Sequence, residues 1–311
     1  MKHLDESAKE YLKAFTQMPA FYKMDPPSVR EMMAQAPPVE VELAPVAKVD
    51  DRTIPVGDGA SINARVYTPA GQGPFPILVY YHGGGWVLGD LETADATCRL
   101  LANHTEHVVI SVDYRLSPEY PFPTPLNDAY AAYQWVRKNS KIINGIKNNI
   151  VVGGDSAGGN LATAVALKAK ENGDTGIKSQ LLIYPVTDLG YDTPSYQQFK
   201  EGYGLDRELM IWFGNHYIRG DEDRANPYVA PLKASELSEL PPAFVATAEN
   251  DVLRDEGEAY AKRLKEAGVD VTYVCEKGLV HGYFTNMAFF ADRIKKTVER
   301  IDQFLKEGAT L

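Results

Sequence analysis

The sequence predicts an α/β protein built on a mostly parallel sheet. The chain has 311 residues, 44% of them hydrophobic, which is enough for one large core. From about residue 76 onward, short apolar runs rich in β-branched residues alternate with segments whose apolar residues recur at helical spacing. Because parallel neighbours must be joined by a crossover, this alternation favours right-handed strand–helix–strand units.

The predicted elements follow one another regularly along the chain. A helix is expected over 4–15, and a stretch with several prolines, 16–50, leads to the sheet. Eight strands are predicted, the first two as a hairpin, at 53–56, 62–67, 77–81, 108–112, 150–153, 180–184, 243–247 and 271–275. Helices are predicted between and after the later strands, at 92–104, 126–138, 157–171, 255–267 and 286–307. Ligands of such sheets bind beyond the carboxyl ends of the strands, so polar residues directly after a strand are candidates for a site.

Ser156 lies at the centre of a Gly-x-Ser-x-Gly run, residues 154–158, between a predicted strand and a predicted helix. This context is typical of a nucleophile elbow, a strained turn that projects a serine hydroxyl above the sheet. The alternative is an ordinary strand–helix turn in which Ser156 caps the helix. We favour the nucleophile.

Three consecutive glycines follow the predicted strand 77–81, in the run His82-Gly83-Gly84-Gly85-Trp86. Such a loop exposes backbone amides, and it is the expected partner of a nucleophile elbow because it adds donors for an oxyanion. We predict that the N–H groups of Gly83, Gly84 and Ala157 form an oxyanion hole. His82 is expected to hold the loop by hydrogen bonding.

A serine nucleophile needs a base and an acid that orients the base. Among the six histidines, His281 alone both follows Ser156 and lies directly after a predicted strand. For the acid we select Asp251, after strand 243–247, over the rivals Glu249 and Asp188. The order Ser, Asp, His is the one expected for this fold.

A second aspartate follows Asp251 one helical turn later. Asp255 is expected to cap or start the helix 255–267, and therefore to have a structural role.

Five segments together carry a family resemblance: residues 82–86 (HGGGW), 113–119 (DYRLSPE), 154–159 (GDSAGG), 251–257 (DVLRDEG) and 281–283 (HGY). They resemble the hormone-sensitive-lipase-like branch of the α/β-hydrolase superfamily, the bacterial family IV carboxylesterases. The resemblance implies an α/β-hydrolase fold with a mostly parallel eight-stranded sheet, flanking helices and a helical cap. It also implies an ester hydrolase with a Ser–His–Asp triad, and it assigns the acid to Asp251. Ser117, Val252 and Tyr283 depart from the commoner family residues.

The resemblance also suggests a domain layout. We expect residues 1–50 to form an N-terminal cap segment and residues 51–311 to form the catalytic domain, with a cap insertion near 188–220. A cap of this kind implies a pocket for short- to medium-chain acyl esters. Within the segment 113–119, Arg115 and Glu119 are expected to form an ion pair.

Composition excludes several other function classes. The net charge of −10 disfavours a nucleic-acid partner, and no apolar run is long enough for membrane insertion. The two cysteines are too few for a zinc site, and the mechanism needs no metal or cofactor. The charged start, Met1 to Ser7, lacks the apolar core of a signal peptide, so a cytoplasmic location is predicted. The strand 271–275 is expected at a sheet edge, where a homodimer could pair.

Two other functions remain as alternatives. An amidase or peptidase would share every triad residue. A non-catalytic small-molecule-binding protein on the same fold is the other, because plant hormone receptors of this superfamily resemble these esterases but lack the catalytic histidine. The presence of His281 disfavours the receptor.

Overall fold

The computed structural model describes residues 3–37 and 39–308. The predictions that concern Met1, Lys2, Pro38 and residues 309–311, which include the outer ends of both expected domains and part of the charged start, lie outside the described residues. Eight strands form one sheet: β1 (Lys48–Pro55), β2 (Ser61–Thr68), β3 (Phe75–Tyr81), β4 (Val108–Asp113), β5 (Gly145–Asp155), β6 (Ile177–Ile183), β7 (Ala243–Asn250) and β8 (Val271–Val280).

The strand order is β1-β2-β4-β3-β5-β6-β7-β8. The first two strands form the predicted hairpin, and β2 also pairs antiparallel with β4. All remaining pairs, from β4 to β8, are parallel. The predicted eight-stranded, mostly parallel sheet is therefore confirmed, and β8 lies at its end, as expected.

Helices cover both faces of the sheet. Their bounds are α1 (Glu6–Phe15), α2 (Pro26–Gln35), α3 (Leu91–Thr105), α4 (Thr124–Asn139), α5 (Ala157–Glu171), α6 (Pro194–Gln198), α7 (Arg207–Tyr217), α8 (Asp221–Ala225), α9 (Arg254–Glu266) and α10 (Met287–Gly308). Side chains of α4, α5 and α9 join the core on one face, and those of α1, α3 and α10 join the core on the other.

The central strand β3 shows why its sequence is apolar throughout. Ile77 and Val79 lie in the first core, whereas Leu78 and Tyr80 lie in the second. Successive side chains of a strand point to opposite faces, so a strand covered on both sides buries every one of them. Packing on both faces holds the strands in position, and with them the residues that follow their carboxyl ends, where the site is expected.

Two groups of short elements lie outside the sheet layers. One precedes β1 and consists of α1, a 3₁₀ turn at Phe21–Lys23, and α2; the other, α6 to α8, is inserted between β6 and β7. The two groups touch, because Trp212 Nε1 donates a hydrogen bond to the carbonyl of Met24 at 3.2 Å. The last helix of the inserted group, α8, begins at Asp221, so the insertion continues past its predicted end near residue 220.

The helix α2 was not predicted; it lies in the stretch 16–50, which contains several prolines. Here Pro26 and Pro27 occupy the first helical turn, where the missing N–H costs nothing. The Asp25 carboxylate caps this helix by accepting from Ser28 N at 3.0 Å. An aspartate directly before two prolines was thus the available signal. No helix within residues 3–37 and 39–308 is long and apolar enough to span a bilayer.

Candidate active site

Ser156 stands in the sharp turn between β5 and α5. Its backbone has φ 56° and ψ −119°, a conformation that an L-residue rarely adopts. The turn needs glycine on both sides, because a Cβ on Gly154 or on Gly158 would overlap the carbonyl oxygen of Tyr81. The Ser156 side chain makes no capping hydrogen bond to α5, so the alternative of a simple helix cap does not describe it.

A continuous hydrogen-bonded chain joins three side chains that follow three different strands. Ser156 Oγ lies 3.0 Å from Nε2 of His281, and Nδ1 of the same ring lies 2.8 Å from Oδ2 of Asp251. Because a carboxylate only accepts, Nδ1 carries the proton and Nε2 faces the serine hydroxyl as an acceptor. This is the arrangement in which an imidazole can remove the serine proton.

The surroundings hold the acid and the base in place. Asp251 is buried, and its Oδ1 accepts a hydrogen bond from Leu253 N at 3.0 Å. The ring of Tyr184 packs against that of His281, with centroids 4.5 Å apart. These contacts restrict both Asp251 and His281, so the imidazole is limited to orientations that face the Ser156 hydroxyl.

The rival acids are engaged elsewhere. Glu249 accepts from Gly278 N at 2.8 Å and pairs with Lys277, and Asp188 pairs with Lys233 at 2.7 Å. Neither contacts His281 within the described part of the chain.

Asp255 lies at the start of α9, which agrees with one of the two roles predicted for it, and it does not cap the helix. The residue before α9 is Leu253, so Asp255 lies inside the first turn and does not cap it. Its Oδ2 accepts from Ser195 N at 2.7 Å, and its other oxygen pairs with Arg254. Asp255 therefore ties the inserted helix α6 to the start of α9.

The histidine of the glycine loop also has a structural environment. His82 Nδ1 donates to the carbonyl of Gly83 at 2.7 Å, and the ring stacks on Tyr114 with centroids 4.4 Å apart. These contacts agree with the expectation that His82 holds the loop.

The amide of Gly83 does not face the site. It donates to Oδ1 of Asp155 at 3.0 Å, and the Tyr80 hydroxyl donates to the same oxygen at 2.7 Å. Burial raises the pKa of Asp155, against the opposing effect of these hydrogen bonds. The prediction that Gly83 supplies an oxyanion donor is thus wrong, because its N–H is already used to anchor the elbow. The sequence shows a glycine triplet but not which of its amides turns inward.

The next two glycines have the conformations that only glycine adopts freely. Gly84 has φ 104° and Gly85 has φ 60°. Within residues 3–37 and 39–308, the N–H groups of Gly84, Gly85 and Ala157 donate no hydrogen bond. These three amides are available to a ligand.

The turn after these glycines packs against the inserted helix α7. Trp86, a non-glycine residue at φ 61°, stacks on Tyr217 with centroids 4.0 Å apart and planes 4° from parallel. A Cβ on Gly85 would overlap the ring of Phe213. The cap therefore contacts the glycine loop directly.

The ion pair expected within residues 113–119 does not form. Arg115 instead pairs with the buried Asp128 at 2.8 Å and with Asp58 at 2.7 Å. Glu119 pairs with Arg30 of α2, at 2.9 Å. Partners that distant in the chain could not be read from the local sequence.

A sequence model of the family that is described as the alpha/beta hydrolase fold matches residues 78–285 of this chain. The chain belongs to this α/β-hydrolase family. The predicted resemblance to family IV carboxylesterases is confirmed by relatives of that activity.

Two curated relatives and two solved structures illustrate the similarity. The chain is 46% identical to the carboxylic ester hydrolase LipN of Mycobacterium tuberculosis over 76% of its length, and the match spans 64% of LipN, less than two thirds. It is 41% identical to an arylesterase of Saccharolobus solfataricus, over 82% of each chain. The hyperthermophilic esterase of Pyrobaculum calidifontis matches with a TM-score of 0.90 and 40% identity, over 99% of this hydrolase and 100% of that chain. The esterase rPPE, solved as a serine-to-alanine variant complexed with (S)-Ac-CPA, has a TM-score of 0.93 and 39% identity, over 99% and 98%.

Proposed function

We propose that this α/β hydrolase is a carboxylesterase that cleaves short- to medium-chain acyl esters through Ser156, His281 and Asp251. The observation that carries the proposal is the unbroken chain of hydrogen bonds from Ser156 Oγ through His281 to Asp251. It lies beyond the carboxyl ends of β5, β7 and β8, where ligands bind in open parallel sheets. The carboxylic ester hydrolases among its relatives support the class of reaction.

Acylation begins when Ser156 Oγ attacks the ester carbonyl carbon. His281 Nε2 takes the hydroxyl proton as the C–O bond forms, and Asp251 stabilises the imidazolium and keeps it oriented. The imidazolium then gives the proton to the leaving alkoxide, which departs as the alcohol. The acyl group remains on Ser156 as an ester.

The negative charge of each tetrahedral intermediate needs donors that are already in place. We assign this role to the N–H groups of Gly84, Gly85 and Ala157, with Gly85 replacing Gly83. Ala157 begins α5, so its amide also lies at the positive end of a helix. Preformed donors cost no reorganisation when the charge develops.

Deacylation repeats the same steps with water as the nucleophile. His281 removes a proton from the water, whose oxygen attacks the acyl carbon. The second intermediate collapses to the carboxylic acid, and the proton returns to Ser156 Oγ. The cycle consumes one ester and one water, and it yields one acid and one alcohol.

The oxyanion donors are backbone groups, so we expect Gly84→Val to displace them. A side chain there would overlap the carbonyl of Leu88, and φ 104° strains any residue with a Cβ. Losing one donor costs about 10²–10³ in kcat. Steady-state kinetics with a p-nitrophenyl ester measure this loss.

A matched control variant separates the loss of an oxyanion donor from the general effect of backbone strain at a glycine with positive φ. Gly173 also has a positive φ, 68°, but open space surrounds its Cβ position. Gly173→Val should lower stability with little change in kcat. Near-wild-type turnover in Gly84→Val would mean that this loop does not serve the oxyanion.

The acyl preference and the amidase alternative are tested with one substrate panel. A closed pocket of ~300–1,000 Å³ holds only a small ligand, so acyl chains of about two to eight carbons should be preferred. The panel consists of p-nitrophenyl esters of rising acyl length, each with the matched p-nitroanilide. We expect kcat/KM to favour the ester strongly at each length. Comparable turnover of the anilides would support an amidase, and a preference for long chains would contradict the proposed pocket.

The remaining assignments concern assembly and place in the cell. We propose that two copies can pair through the edge strand β8, near residues 271–275, and that the enzyme is cytoplasmic. Strands at the end of a sheet expose unpaired backbone groups, which supports pairing with a second copy. Sedimentation velocity tests the dimer, and a monomer at all concentrations would exclude it.

A further inference from the structure

The turn that carries two of the proposed oxyanion donors, Gly84 and Gly85, is held from outside the sheet by Arg30 of α2. Its Nε donates to the carbonyl oxygen of Val87 at 2.8 Å. Its Nη2 donates to the carbonyl oxygen of Ser117 at 2.5 Å. Val87 follows Gly85 by two residues, so Arg30 forms this hydrogen bond directly beside the amides of Gly84 and Gly85.

The two carbonyls that Arg30 contacts belong to segments that already touch. Ser117 N donates to the carbonyl of Trp86 at 2.8 Å. Within the turn, Leu88 N donates to the carbonyl of Gly84 at 2.8 Å. Arg30 therefore ties the glycine turn and the segment 113–119 together at a point where each supports the other.

Glu119 fixes the orientation of the guanidinium. Its two oxygens accept from Nη1 and Nη2 of Arg30, both at 2.9 Å, in a bidentate pair. The Arg30 hydrogen bonds lower the pKa of Glu119, so this carboxylate remains charged at neutral pH. With Nη1 and Nη2 bound to Glu119, Nε is directed at the carbonyl of Val87 and Nη2 also at that of Ser117.

The glycine turn needs such an external restraint. Three successive residues, Gly84, Gly85 and Trp86, have positive φ values of 104°, 60° and 61°. Conformations of this kind persist only where the surrounding structure enforces them. Oxyanion stabilisation is also steeply sensitive to where the donors point.

We propose that Arg30 is a positioning residue for the oxyanion hole, and that Glu119 fixes the orientation of the Arg30 guanidinium. The inference rests on the proposed function, since it concerns the donors assigned there. Arg30 touches no reacting atom. It acts through Val87 and Ser117, and it makes α2 part of the catalytic apparatus rather than only a cover.

The test compares Arg30→Met with a matched arginine elsewhere. Arg263 of α9 likewise donates to two backbone carbonyls, those of Leu232 and Ala234, but far along the chain from the glycine turn. For both variants we would measure kcat and KM with a p-nitrophenyl ester, Tm, and the Ki of a trifluoromethyl ketone. That inhibitor forms a tetrahedral adduct with the serine, so its affinity reports on the oxyanion donors. A methyl ketone of the same shape reports on ground-state binding.

We expect Arg30→Met to lower kcat about tenfold, less than the ~10²–10³ that follows loss of a donor. The affinity for the trifluoromethyl ketone should fall by a similar factor, while KM and the methyl ketone affinity stay near wild type. Arg263→Met should lower Tm only. If Arg30→Met lowers Tm while kcat and the inhibitor affinities match those of Arg263→Met, then Arg30 is structural and the inference fails.

Two milder variants keep the inference falsifiable if Arg30→Met does not fold. Arg30→Lys keeps the charge but cannot reach both carbonyls in the same geometry, and Glu119→Gln removes only the counter-charge. Both should show a smaller, parallel loss of kcat and trifluoromethyl ketone affinity, and unchanged values in both would overturn the inference. Phosphonate labelling of the wild type is run alongside. Failure to label Ser156 would refute the proposed function itself, which is a different result.

Discussion

Ser156→Ala should fold normally and lose at least about four orders of magnitude in kcat, the scale for removing a triad nucleophile. The hydroxyl is the atom that bonds to the acyl group, and no other group in the chain of hydrogen bonds can replace it. Hydrolysis of a p-nitrophenyl ester by purified variant and wild type gives the ratio. Circular dichroism and Tm confirm that the fold is retained.

The same experiment includes chemical labelling and a control serine. An organophosphate should add one equivalent of mass to the wild type at Ser156, and none to the variant. Ser140 is also buried but lies at the end of α4, so Ser140→Ala should retain activity and labelling. Labelling of another serine in the wild type, or substantial turnover by Ser156→Ala, would remove the nucleophile assignment.

Asp251→Asn should lower kcat by about 10⁴. The amide would present an N–H where the carboxylate now accepts from His281 Nδ1, so the ring would turn to the tautomer that cannot accept the serine proton. The imidazolium would also lose its counter-charge. The kcat of the variant relative to that of the wild type, measured with a p-nitrophenyl ester, gives the size of the loss.

Asp255→Asn is the matched control for this substitution. It also replaces a partly buried carboxylate by an amide, but in a residue that accepts from Ser195 N and pairs with Arg254. We expect it to cost about 1–2 kcal/mol of stability and little activity. If instead Asp255→Asn abolished turnover and Asp251→Asn did not, the acid would have to be reassigned.

The sequence predicted that Ser156, Asp251 and His281 lie together, and the structure brings them together, because the signals that mark them are local. Ser156 is marked by glycines that the turn requires, and Asp251 and His281 are marked by chain order and by their place after strands. Parallel strands bring such positions to one edge whatever the details of packing. The eight-stranded sheet was predictable for the same reason, since alternation of apolar runs is visible in the sequence alone.

The errors at the site concern contacts between residues that are distant in the chain. Gly83 was chosen as a donor because a glycine triplet does not show which amides face inward, and its true partner, Asp155, is 72 residues away. Glu119 was matched with its neighbour Arg115, whereas its partner, Arg30, is 89 residues away. Each choice was settled by competition among several acceptors or donors in the folded state, and local pattern carries no information about that competition.

The placement of the proposed triad along the sheet has a consequence for inactivation. Ser156 follows the central strand β5, whereas His281 follows β8, the outermost strand at that side. Elements at the boundary of a domain open more readily than its middle, without global unfolding. Detachment of β8 alone would carry His281, the proposed base, away from Ser156 while the turn that holds Ser156 is still correctly folded. Loss of turnover under mild denaturant therefore reports on fraying at one border of the molecule, while spectroscopic probes of the remaining strands still register a native protein.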